Sequence, residues 1–203
     1  MLHFEREFLY NIISIVCSVN FSAKDESIDR RESMENETMN QTANEMQQEV
    51  TAKWLTFFLD GQLYGMSIIH TEQIISLVPV TPIPEYPDYA KGVVDLRGMI
   101  VPLIDLRLRF GKNEAAYTDK TCIITCRVDE DLIGFIVDEV DAVIEIDEES
   151  ISPPPRVNAD PAARYLTGIA RVAAENGSRD KIVLCLDATK ILRDEEIHAL
   201  KRD

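Results

Sequence analysis

The feature that most constrains the fold of this 203-residue chain is a weak internal repeat. Its first copy consists of four landmarks, Leu63-Tyr-Gly65, Thr81-Pro-Ile-Pro84, Tyr89-Ala-Lys-Gly92 and Leu103-Ile-Asp105. The counterparts follow in the same order, roughly seventy to eighty residues later: Leu132-Ile-Gly134, Ser152-Pro-Pro-Pro155, Tyr165-Leu-Thr-Gly168 and Leu184-Cys-Leu-Asp187. Such a repeat predicts two similar β units, each the size of a five-stranded barrel, that together bury more apolar surface than either could alone.

Short apolar runs bounded by turn residues predict the individual strands. Leu55 to Leu59 and Leu63 to Ile68 flank Asp60-Gly61, which is the pattern of a tight hairpin. Further strands are predicted at Ile74–Val80, Val93–Val94, Met99–Ile104, Thr121–Val128, Leu132–Ile146, Tyr165–Ala173 and Lys181–Leu186. Short helices are expected after Asp105, closed by Gly111, and after Asp187. The chain is therefore predicted to be all-β.

The composition of the sequence changes abruptly at Trp54, from polar residues to short apolar runs bounded by turn residues. Residues 24–50 are polar and charged and contain no aromatic residue, glycine or proline, which predicts a disordered or loosely helical leader. We expect an N-terminal extension over residues 1–50 and a globular unit over residues 51–203. Within that unit, the two barrels are expected at roughly residues 65–115 and 121–187, with the terminal segments shared.

An apolar run at residues 8–21 is similar to the core of a signal peptide. It lacks a net positive flank and a convincing cleavage site, and it is too short to span a bilayer. A cytoplasmic protein is therefore expected. Translation from Met34, Met39 or Met46 is an open alternative to a genuine extension.

Composition and the absence of catalytic patterns favour a protein-binding module. The chain carries 36 acidic and 21 basic residues, a net charge of −15, which disfavours nucleic acid and anionic membranes as partners. A protein partner with basic patches fits this charge, although acidic solubility alone also explains it. The residues that could hold a metal or form disulfides are scattered without ligand spacing: Cys17, Cys122, Cys126, Cys185, His3, His70 and His198.

The sequence shows no phosphate loop, nucleophile elbow or Cys/His pair. The acidic clusters at Asp138–Asp141 and Asp147–Glu149 lack the spacing of a calcium loop. We therefore expect a protein that is not an enzyme and has no cofactor or metal. A small enzyme or ligand-binding barrel, with a pocket between the two units, stays open as an alternative.

A predicted hairpin tip is the strongest candidate for a binding site. Asp95-Leu-Arg-Gly98 separates two apolar runs and has the residues that a type I turn prefers at its first and last positions. Such a turn would expose Arg97, whose guanidinium offers several fixed hydrogen-bond donors. The same pattern also describes an ordinary solvated turn arginine.

The chain resembles the CheW family of bacterial chemotaxis coupling proteins. Lys91-Gly-Val-Val-Asp-Leu-Arg-Gly98 and Ile100-Val-Pro-Leu-Ile-Asp-Leu-Arg107 match the family signature at nearly every position. Four other segments follow in the family's order: Phe57–Gly65, Thr81–Pro84, Ile133–Val140 and Tyr165–Gly168. The resemblance covers about Lys53 to Leu192 and implies two packed, five-stranded, SH3-like β-barrels.

The resemblance also implies a function. Family members are non-enzymatic adaptors that join the cytoplasmic tips of methyl-accepting chemoreceptors to the regulatory domain of the histidine kinase CheA, which is itself CheW-like. They work in two-component signalling, in membrane-associated arrays where other CheW-like domains are further partners in rings. The alternative is a coupling protein of a chemosensory-like pathway that controls surface motility or second-messenger output.

Site residues carry over position by position. Receptor-binding positions of the family correspond to Arg97, Gly92 and Gly98, with Asp95 in the same turn, and to Thr71, Gln73 and Ile74 in the segment that resembles Val-Gln-Glu-Ile. A weaker kinase-binding expectation falls on Ile133, Gly134 and Val137, for which a buried core strand is the alternative. Two residues depart from the family pattern, namely Asp95 for asparagine and Gln73 for glutamate. Glu72 stands one place earlier, on what should be the opposite strand face.

Overall fold

A computed structural model describes residues 53–128, 130–154, 161–173 and 180–192, together with Glu196 and Leu200. The predicted N-terminal extension, with the apolar run at residues 8–21, lies outside the described residues.

The described chain is built mainly from β-strands. The strands are β1 (Lys53–Leu59), β2 (Gln62–Ser67), β3 (Thr71–Ser76), β4 (Ala90–Leu96), β5 (Met99–Asp105), β6 (Cys122–Val128), β7 (Asp131–Val137), β8 (Glu139–Glu145), β9 (Ile151–Ser152), β10 (Leu166–Val172) and β11 (Lys181–Leu186). The short α-helices α1 (Leu106–Arg109) and α2 (Ala188–Ile191) follow β5 and β11, and 3-10 turns occupy Ile68–His70, Glu148–Ser150 and Pro161–Tyr165.

The strands form two sheets, and this confirms the predicted all-β class with two packed units and few helices. One sheet has five strands in the order β3-β6-β7-β5-β4. The other has six in the order β8-β1-β2-β11-β10-β9, of which β9 is two residues long. Thr81 and Val93 exchange backbone hydrogen bonds of 2.9 Å, so the segment that follows β3 closes on β4.

The sheets do not follow the predicted boundaries of 65–115 and 121–187. Strands β6 and β7 complete the sheet of β3, β4 and β5, whereas β1 and β2 join β8 to β11. The cause is a pair of parallel contacts that cross between the repeats: Leu103 of β5 pairs with Gly134 of β7, and Gly65 of β2 pairs with Cys185 of β11. The first hairpin of each repeat, β1–β2 or β6–β7, therefore belongs to the sheet that contains the remaining strands of the other repeat.

Three apolar clusters account for the core. The largest contains buried residues of both sheets, including Phe57, Tyr64, Phe110 and Phe135, and so lies between them. Each sheet also has a smaller cluster of its own, around Trp54 in the six-stranded sheet and around Val101 in the five-stranded one. Most of the buried apolar surface therefore joins the two units, as the small size of each unit predicts.

A predicted single strand over Leu132–Ile146 is interrupted at Asp138, which separates β7 from β8. The Asp138 carboxylate accepts two hydrogen bonds from Arg107, at 2.6 and 2.7 Å, and a third at 2.7 Å from the backbone N–H of Asp60. Arg107 also reaches the Asp60 carboxylate at 3.1 Å. These long-range contacts fix a bend that the apolar pattern of the segment does not show.

Candidate functional site

The hairpin between β4 and β5 has a two-residue turn at its tip. Leu96 pairs with Met99, which leaves Arg97 and Gly98 as the turn residues, with φ of +56° and +86°. Positive φ at both central residues defines a type I′ turn, so the predicted type I turn over Asp95–Gly98 is wrong in detail. The primed turn is favoured because its twist matches the right-handed twist of the paired strands.

Asp95 stabilises this turn. Its Oδ1 accepts a hydrogen bond of 2.6 Å from the backbone N–H of Gly98. The carboxylate thus caps the turn. Among the described residues, the exposed guanidinium of Arg97 has no hydrogen-bond or ion-pair partner. The turn therefore fixes the backbone of Arg97, while the N–H donors of its guanidinium remain available to another molecule.

Two exposed large apolar residues follow the turn in the sequence, one on each face of β5. Met99 is 51% exposed and Ile100 is 67% exposed, whereas the next residue, Val101, is fully buried. The sequence pattern assigned Met99 and Ile100 to a strand but gave no reason to expect them in solvent. Exposed apolar side chains next to an unpartnered cation are typical of a protein-binding surface.

Gly92 lies inside the protein rather than on that surface. Its φ is +133°, and a Cβ at this position would lie 2.1 Å from the carbonyl oxygen of Thr81. The bulge in β4 at Gly92 brings the two backbones together next to the Thr81–Val93 bridge. Its predicted place in the receptor site is therefore structural, since it shapes the strand that carries Arg97. Gly98 has no atom within 4 Å of an added Cβ.

The second predicted receptor segment lies on the edge strand β3. Thr71 and Ile74 are buried, with exposures of 0% and 2%, so their side chains do not form a surface. Gln73 is half-buried. A bulge falls between Thr71 and Gln73, and Glu72 pairs there with Arg127 at 2.7 Å. We expected Glu72 on the strand face opposite to Gln73 because side chains alternate along a regular strand. The bulge interrupts that alternation.

The three predicted kinase-binding residues lie in the interior. Ile133 and Val137 are 0% and 1% exposed and belong to the cluster between the sheets. Gly134 is buried, and a Cβ there would lie 2.4 Å from the Leu103 side chain. Strand β7 has β5 on one side and β6 on the other, with apolar clusters against both faces. Their side chains are therefore core rather than a contact surface, which was the stated alternative.

The titratable groups of the described residues are arranged for stability. Burial raises the pKa of the Cys126 thiol to about 12 and that of Cys185 to about 11, so both thiols are poor nucleophiles. Burial and the nearby Asp105 carboxylate raise the pKa of Tyr117, whose hydroxyl donates to Asp105 at 2.9 Å. No group of metal-ligating side chains occurs in the part of the chain that the structure describes. No helix of that part is long and apolar enough to cross a membrane.

The fold and the hairpin tip together define a class of protein: a two-barrel β module that presents a fixed cationic and apolar surface. The comparisons with known proteins identify the family. The model of the CheW-like domain matches residues 53–196, so the chain belongs to the CheW-like family.

Individual relatives agree with this assignment. The chain is 33% identical over 148 residues to the chemotaxis protein CheW of Klebsiella aerogenes, covering 73% of this chain and 86% of the relative. It is 29% identical over 123 residues to the protein FrzA of Myxococcus xanthus, covering 61% of this chain and 74% of the relative. The crystal structure of the scaffolding protein TtCheW from Thermoanaerobacter tengcongensis superposes with a TM-score of 0.62 at 34% identity, covering 70% of this chain and 92% of that one.

Proposed function

We propose that this protein is a non-enzymatic adaptor that couples methyl-accepting chemoreceptors to the histidine kinase CheA in chemotaxis. Membership of the CheW-like family supports the class. The observation that carries the proposal is the hairpin tip, where Arg97 is exposed and has no hydrogen-bond or ion-pair partner among the described residues, and where the exposed Met99 and Ile100 follow in the sequence. The protein then acts in the cytoplasm, in arrays on the membrane.

The receptor contact centres on Arg97. Positive φ and the Asp95–Gly98 hydrogen bond fix the turn before binding, so little backbone entropy is lost when a partner arrives. The guanidinium can bind a carboxylate or backbone carbonyls, while Met99 and Ile100 supply apolar area. Each contact is modest alone, and stability comes from many such contacts in an array.

The kinase contact uses a different surface. Its partner is the regulatory domain of CheA, and other CheW-like domains are further partners in array rings. Because Ile133, Gly134 and Val137 are buried, the contact falls on exposed residues elsewhere. Two separate surfaces on one rigid pair of barrels would hold receptor and kinase in a fixed geometry.

Arg97→Ala tests the receptor assignment. We expect the variant to fold normally, because the Arg97 side chain makes no hydrogen bond or ion pair among the described residues. We also expect it to lose about tenfold in affinity for a chemoreceptor cytoplasmic fragment. Co-sedimentation with fragment-bearing vesicles measures the affinity, and circular dichroism checks the fold. Arg171→Ala, at an exposed arginine of β10, is the matched control. Equal binding by both variants and the parent would refute the role of Arg97.

A second candidate keeps the adaptor but changes the pathway to a chemosensory-like system that controls surface motility or second-messenger output. The similarity to FrzA motivates it, since not every relative is named a chemotaxis protein. Receptors recovered with the tagged protein from native membranes distinguish the two. Recovery of receptors that do not alter swimming would favour the second candidate.

A further inference from the structure

The side chain of Arg109, at the end of α1, makes three hydrogen bonds to the C-terminal part of the chain. Its two terminal nitrogens donate to the Glu196 carboxylate at 2.9 and 2.7 Å, and its Nε donates to the carbonyl of Ile191 at 2.8 Å. The side chains of Arg109 and Glu196 are only 10% and 17% exposed. This is a bidentate, largely buried ion pair between the middle of the chain and its C-terminal part.

Tyrosines from both repeats surround the pair. The Arg109 guanidinium lies 4.4 Å from the ring centre of Tyr89 and 5.4 Å from that of Tyr165. Tyr89 also donates its hydroxyl to Glu196 at 3.0 Å, and Tyr86 donates to the carbonyl of Leu200. Leu200 itself is 6% exposed and belongs to the cluster between the sheets.

Tyr89 and Tyr165, the two tyrosines over which the Arg109 guanidinium lies, occupy equivalent places in the repeat. The backbone carbonyl of Tyr89 accepts from the N–H of Asp105, and that of Tyr165 accepts from the N–H of Asp187. Tyr89 directly precedes β4 of the five-stranded sheet, and Tyr165 directly precedes β10 of the six-stranded sheet. Arg109 therefore contacts the base of one strand in each barrel while holding Glu196.

The electrostatics of the pair favour a lasting contact. Burial lowers the pKa of Arg109, but hydrogen bonding and charge attraction to Glu196, with smaller contributions from Tyr165 and Tyr89, leave it above its usual value. The pKa of Tyr89 is raised by burial and by its hydrogen bond to Glu196. Removing one partner would leave a buried charge unpaired, which costs far more than the loss of an exposed ion pair.

We propose that Arg109 is a positioning residue: its pair with Glu196, together with the buried Leu200, forms a strap between the two barrels that adds to the shared core in limiting changes of their relative orientation. Arg109 contributes stacking to both barrels, and Leu200 anchors the strap in the shared core. The inference concerns barrel geometry and does not depend on which partners the protein binds.

Glu196→Gln and Arg109→Lys test the strap in the full chain. Glu196→Gln keeps the size of the side chain but removes its charge, and Arg109→Lys keeps the charge but cannot form the bidentate pair. Lys190→Ala is the control, because its ion pair with Asp187, also near the C-terminus, is local and 58% exposed on the lysine side. If Glu196→Gln does not fold, Arg109→Lys alone carries the test.

The first readout is the distance between the barrels. Spin labels are placed at two exposed sites, Gln62 of β2 and Ser76 of β3, by substitution with cysteine in a Cys17→Ser background, and the distance distribution is measured by pulsed electron spin resonance. We expect a narrow distribution in the parent and in Lys190→Ala, and a distribution about twofold broader in both strap variants. Strap variants as narrow as the control would overturn the proposal.

The second readout separates a strap from general stability. Amide hydrogen exchange should accelerate about tenfold in residues 81–93 and 161–172, while the interior strands β6 and β7 keep their protection. An equal acceleration throughout the protein would show that the pair contributes only to global stability, and this result would also overturn the proposal.

Discussion

At the scale of single residues, backbone conformation decides what Arg97 can do. The sequence predicted an exposed arginine at a hairpin tip, and the structure places it there with φ of +56°. Asp95, which stands where the family has asparagine, caps the turn, because its carboxylate accepts a hydrogen bond from the Gly98 N–H. The exposure of Met99 and Ile100 could not be predicted, since it depends on which strands cover β5.

Cys126 gives a residue-scale prediction about pH. Burial raises its thiol pKa from an ordinary 9.0 to about 12, so the unfolded chain ionises first as pH rises. The stabilising contribution is complete below pH 9 and is lost between pH 9 and 12. At pH 10 we expect Cys126 to reduce the free energy of unfolding by about 1 kcal/mol.

Urea unfolding at several pH values checks this prediction, with Cys126→Ala as the comparison. The variant should be less stable at every pH but should lose less stability between pH 8 and 10. Parallel pH profiles for the two proteins would show that the thiol does not contribute.

At the scale of elements, the local sequence pattern predicted most strands. The features that it did not predict depend on contacts between residues distant in the sequence. The hairpin of β1 and β2, the helical turn after Asp105 and strand β11 follow from apolar runs, turn residues and caps. The break at Asp138 was missed because it depends on Arg107, which is distant in sequence. The sequence left a buried core strand open as the alternative for Ile133 and Val137, and choosing between the two requires knowing that β7 is central.

The bulge of β4 gives an element-scale prediction. Gly92→Ala would place a Cβ 2.1 Å from the Thr81 carbonyl at a φ of +133°, and neither backbone can move without breaking the Thr81–Val93 bridge. We expect a loss of about 3 kcal/mol in the free energy of unfolding. Chemical denaturation measures this loss.

Gly98→Ala is the matched control, because its positive φ is strained but the space is open. It should cost about 1 kcal/mol. Similar losses for the two variants would mean that the close approach at Gly92 does not limit stability.

At the scale of the whole molecule, the internal repeat was visible in sequence but its arrangement in space was not. Each repeat has one hairpin in the opposite sheet, because β5 pairs with β7 and β2 pairs with β11 in parallel. Adjacent halves of a sequence do not reveal such an exchange. Neither repeat can therefore complete a barrel alone.

Splitting the chain tests this interdependence. A fragment of residues 53–119 keeps only the isolated hairpins β1–β2 and β4–β5, because the other sheet neighbours of its strands, β6, β7, β8 and β11, are absent. We expect it, and the fragment of residues 120–203, to be unfolded separately and to recover β structure when mixed. Heteronuclear NMR follows both states. A folded fragment of residues 53–119 on its own would contradict the exchanged arrangement.

The adaptor proposal itself is tested most directly by kinase activity in a reconstituted array. Receptor cytoplasmic fragments on vesicles are combined with CheA, with and without this protein, and autophosphorylation of CheA is measured. The proposed coupling predicts strong stimulation that requires all three components and is lost with Arg97→Ala but kept with Arg171→Ala. Kinase activity that is the same with and without the protein, under conditions where CheA and receptor are active, would contradict it.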